Sequence, residues 1–88
     1  MKMVKVIGSI TSTIKDKSLE GFKLLLVQSV TIDLKTKREF FAAVDTVGLG
    51  EGEVALLVTG SAAKKHELTA GRNIDGTLVA KVDRIDLD

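Results

Sequence analysis

Phe22-Lys23-Leu24-Leu25-Leu26-Val27-Gln28-Ser29-Val30-Thr31-Ile32 is the stretch on which the fold turns. With a period of two, Phe22, Leu24, Leu26, Val30 and Ile32 line one face, interrupted only by Gln28. The other face carries Lys23, Ser29 and Thr31, but also Leu25 and Val27. A strand with one side in water is more polar on that side. Two readings stand. Leu25 and Val27 meet another subunit, or the strand's phase slips at a bulge and they belong to the core.

Outward from this segment the pattern repeats. Before it, Lys2 to Ile14 alternates, with Val4, Val6, Ile10 and Ile14 on one face and Lys5, Ser9, Thr11 and Thr13 on the other, joined by Ile7. Gly8 marks a bend or bulge in that row. Residues 15–21 read as a loop. After it, Asp33 to Glu39 is a charged hairpin connection and Phe40 to Thr46 a short strand. Glu53 to Thr59 is the fourth strand, with Val54, Leu56 and Val58 on one face and Ala55 and Leu57 on the other. Ser61 is a good N-cap for a two-turn helix over 62–68, Gly71 a stop, and Thr77 to Leu87 the last strand. The expectation is an all-β, five-stranded barrel of the oligonucleotide-binding (OB) type, with one short helix between strands four and five.

At 88 residues the chain suits a single domain over 1–88. Domains this small lean on disulfides, metals or partner subunits. Cysteine is absent, which removes disulfides and thiolate metal sites and leaves oligomerisation open. Leu25, Val27 and Leu57 are candidate interface residues on that ground. The net charge of +1 is no footprint for nucleic acid or an anionic membrane. No signal-peptide core follows Met1, and the longest apolar run, Leu24 to Val27, is too short to span a bilayer. A soluble cytoplasmic protein is expected.

Little here resembles a reaction centre. His66 is the sole histidine and sits among Lys64, Lys65 and Glu67, as a solvated side chain would. Gly48-Leu49-Gly50-Glu51-Gly52 is rich in glycine but leads into a strand, whereas phosphate loops lead into a helix. A turn needing positive φ is the expected role, and Asp45 just before it is placed to accept its backbone N–H groups. Asp83, Asp86 and Asp88 could share a cation but read as a solvated edge. Neither catalytic residues nor a cofactor or metal is expected. The barrel also permits single-stranded nucleic-acid binding, which needs aromatic stacking platforms in a basic groove. Phe22 and Phe40 are assigned to the core, leaving only Phe41 for stacking, so no nucleic-acid partner is expected.

Five segments carry a family resemblance. They are Lys5-Val6-Ile7-Gly8-Ser9-Ile10; 19–28, Leu-Glu-Gly-Phe-Lys-Leu-Leu-Leu-Val-Gln; 43–50, Ala-Val-Asp-Thr-Val-Gly-Leu-Gly; Gly60-Ser61-Ala62-Ala63-Lys64; and 74–83, Ile-Asp-Gly-Thr-Leu-Val-Ala-Lys-Val-Asp. In this order and spacing the chain resembles the EutN/CcmL family of bacterial microcompartment vertex proteins. The resemblance implies an OB-like barrel that assembles as a pentamer and closes the vertices of a shell built of hexameric tiles, with no enzymatic role. It places Gly48, Leu49, Gly50, Gly60, Ser61, Ala62 and Ala63 near the five-fold axis, with Lys64 as an inter-subunit contact. Lys64 stands where the family usually has arginine, so a bidentate ion pair does not carry over. Ile74 stands where proline is frequent.

Overall fold

A computed structural model describes residues 1–11, 22–59 and 76–87. Strand-forming sequence becomes β1 (Lys2–Ile10), β2 (Lys23–Val30), β3 (Thr36–Asp45), β4 (Val54–Thr59) and β5 (Gly76–Lys81). They hydrogen-bond in the cyclic order β1-β2-β3-β5-β4 and close a barrel. All neighbours are antiparallel except β3 and β5, which run parallel from Ala43↔Gly76 to Asp45↔Leu78. This is the five-stranded OB-type closure expected from the sequence. The helix expected over 62–68 lies outside the described residues.

Strand limits differ most from expectation around the β2–β3 turn and at the end of β5. β3 begins at Thr36, within the stretch read as a connection. Pairing of Val30 with Thr36, and a 2.9 Å bond from Gln28 Nε2 to the Lys37 carbonyl, hold this charged stretch in the ladder. The turn shrinks to 31–35, where Thr31 N–H bonds the Lys35 carbonyl at 2.8 Å. β5 stops at Lys81, and residues 82–87 continue without strand geometry.

The barrel interior is built from Val4, Val6, Leu25, Val27, Ala43, Leu49, Ala55, Leu57 and Leu78, with Phe41 packed against it. Each large side chain removed from water contributes roughly 1.5–3 kcal/mol. Two of the expected faces are therefore inverted. In β2 Leu25, Val27 and Ser29 point inward, and in β4 Ala55 and Leu57 do so rather than Val54, Leu56 and Val58. Bulges disturb the alternation further. The β1–β2 register shifts between Val6 and Gly8, where Gly8 was expected to mark a bend. Beyond it Ser9 pairs with Leu25 yet is exposed, and Ile10, half-buried, pairs with Leu24. The β2–β3 register shifts between Gln28 and Val30, so Ser29 and Val30 are both buried. β5 comes so close to β4 that a Cβ on Gly76 would stand 2.7 Å from both Leu57 Cδ1 and the Val58 carbonyl oxygen.

Candidate subunit-contact surfaces

Asp45, at the end of β3, is nearly buried and organises the following loop. Its Oδ1 accepts the N–H groups of Val47 and Gly48 at 2.8 and 2.9 Å, and its Oδ2 accepts Leu49 N–H at 2.7 Å. This is the capping role expected of it. Gly48 and Gly52 adopt φ of 92° and 88°, a region that disfavours side chains. Leu49 is thereby turned into the core, while Gly48 and Gly50 stay at the surface. The far end of the loop is tied down twice. Glu53 Oε1 accepts Gly50 N–H at 2.7 Å, and Val6 exchanges bonds of 2.9 and 2.8 Å with Glu53 and Gly52. Lys81 on β5 meets Glu53 at 2.5 Å. The Lys81 ammonium, and then Gly50 N–H, hold the Glu53 carboxyl below its ordinary range, and Glu53 raises Lys81 in turn.

Leu25, Val27 and Leu57, read from sequence as candidate contacts on an outward face, are only 1%, 0% and 0% exposed. They fill the barrel of their own chain and cannot present a surface to another. Of the residues placed near the axis, Gly48, Leu49 and Gly50 belong to the Asp45 loop. Gly60, Ser61, Ala62, Ala63 and Lys64 lie outside the described residues, as does His66.

The outward surface includes Leu26 and Phe40, which alternation had put inside. Cross-strand register on β1–β2–β3 forms three rows on that side, Ile10–Leu24–Val44, Gly8–Leu26–Ala42 and Lys5–Gln28–Phe40, of which Val44 is itself fully buried. Leu26 is 36% and Phe40 54% exposed. Gln28 and Arg38 were the available signal, because a polar residue inside an apolar row marks the solvent side. Phe41, the expected stacking platform, is instead half-buried beneath Lys2, whose Nζ is 5.6 Å from the ring centroid. Lys2 also bonds Glu39 at 3.0 Å, and Glu39 accepts the Ser29 hydroxyl at 2.6 Å. The Ser29 hydroxyl first, and then Lys2, lower the Glu39 carboxyl.

A second apolar surface lies elsewhere. The β2–β3 turn, the start of β4 and residues 82–87 enclose a groove of about 310 Å3. Ile32, Leu34 and Leu87 line it, each more than half exposed, together with half-buried Val54, Val82 and Ile85. Leu34 has φ 65°, the one non-glycine positive φ among the described residues. Of Asp83, Asp86 and Asp88, weighed as a cation site, Asp88 lies outside the described residues, Asp86 bonds Arg84 at 3.1 Å and Asp83 lies 3.9 Å from Lys81. Among the described residues no cluster of metal-ligating side chains occurs, and no helix is long and apolar enough to cross a membrane.

Comparison with known proteins gives a consistent answer. The family model described as ethanolamine utilisation protein EutN/carboxysome matches residues 1–83. The bacterial microcompartment shell vertex protein GrpN of Rhodospirillum rubrum is 38% identical over 86 residues, which is 98% of this chain and 97% of GrpN. The solved structure of the GrpN pentameric microcompartment shell protein superposes with a TM-score of 0.86 over 100% of both chains. The carboxysome shell vertex protein CcmL of Thermosynechococcus vestitus is 36% identical over 88 residues, 100% of this chain and 89% of CcmL. The Escherichia coli ethanolamine utilisation protein EutN, 30% identical, superposes with a TM-score of 0.83 over 99% of this chain and 89% of EutN.

Proposed function

Because the chain belongs to the EutN/CcmL family, we propose that it is a structural subunit of a bacterial microcompartment shell in the cytoplasm, forming pentamers that cap the shell's vertices. One observation carries this reading. The likeness to shell vertex proteins runs through the whole barrel, including the Asp45 loop, and is not confined to a generic OB core. The mechanism is geometric. A five-fold unit set into a sheet of hexagonal tiles removes a sector from the lattice and forces it to curve, so the sheet closes. The work asked of the chain is a rigid wedge shape and sticky flanks. A small barrel whose loop is fastened by Asp45, Glu53 and Lys81 supplies the first, and outward apolar rows supply the second. Neighbouring partners on this reading are hexameric tiles of the same shell, and chemistry belongs to enclosed enzymes.

Co-expression with the shell's hexagonal tiles tests it. With this chain present, electron microscopy should find closed polyhedra. Without it, the same tiles should give open sheets or tubes. Closure that is indifferent to the chain would contradict the proposal.

A further inference from the structure

We draw no further inference here: the strongest candidate, the apolar groove that Ile32, Leu34 and Leu87 line between turn 31–35 and segment 82–87, carries none, since its carboxylates Asp33 and Asp83 are already held in ion pairs and nothing in the structure shows what covers it.

Discussion

The inner and outer rows of β2 are equally greasy and do different work. Leu25 and Val27 are sealed inside the barrel, while Leu24 and Leu26, one residue away, lie on its outer surface. Hydrophobicity alone does not separate them. Position in the ladder does: Leu25 pairs with Ala43 of the core, and Leu26 with Ala42 between Gly8 and the Phe40 row. One row makes the fold and the other is free to make the assembly. Substitutions that strike one and spare the other should therefore have separable effects.

The widest separation is expected between Leu57→Lys and Leu26→Lys. Leu57 is fully buried, and an unpaired ammonium at its site should cost more than about 4 kcal/mol, enough to unfold a domain of this size. Leu26→Lys should change folding stability by no more than about 0.5 kcal/mol while weakening the ring. Urea unfolding read beside sedimentation distinguishes the two. Equal effects on folding would erase the distinction between the rows.

Next in size is Asp45→Ala. It strands three backbone N–H groups of a partly buried loop and should cost about 3 kcal/mol, with Leu49 loosened from the core. A loss below 1 kcal/mol would mean that water replaces the carboxylate easily.

A change in the opposite direction belongs to the outer surface. Leu34→Gly relieves the positive φ and should raise folding stability by about 1 kcal/mol, read by urea unfolding. No gain would mean that the left-handed backbone at Leu34 costs the fold nothing.

The smallest effect should be that of pH. Glu39 and Glu53 titrate below their ordinary value of 4.5 in the fold, so the folded chain takes up their protons less readily than the unfolded one. Their contribution is complete above that value and fades as pH falls through the lower folded ones. For Lys81, raised from 10.5, the sign reverses, and its contribution fades only in strong alkali. Glu53→Gln should flatten part of the acid limb of a stability profile, and an unchanged limb would remove Glu53 from it.

Much of this was legible in the residues. Period-two alternation gave the strands, Gly8 the first bulge, and Asp45 before three glycines the loop cap. The facing of β2 and β4 was not legible from alternation alone. Leu24-Leu25-Leu26-Val27 supplies apolar residues to both sides, and only long-range pairing decides which side the barrel encloses. Gln28 was the local hint, since a barrel interior would leave its amide without water. The groove escaped for another reason. It joins a turn to a segment about fifty positions later, and neither has a pattern of its own.

A folded barrel with a sticky exterior should build a five-membered ring. Native mass spectrometry of the parent chain at micromolar concentration tests it most directly. Five chains of 9.4 kDa should appear together at about 47 kDa, free of nucleic acid. A folded species at 9.4 kDa, or a ring of any other number, would contradict it.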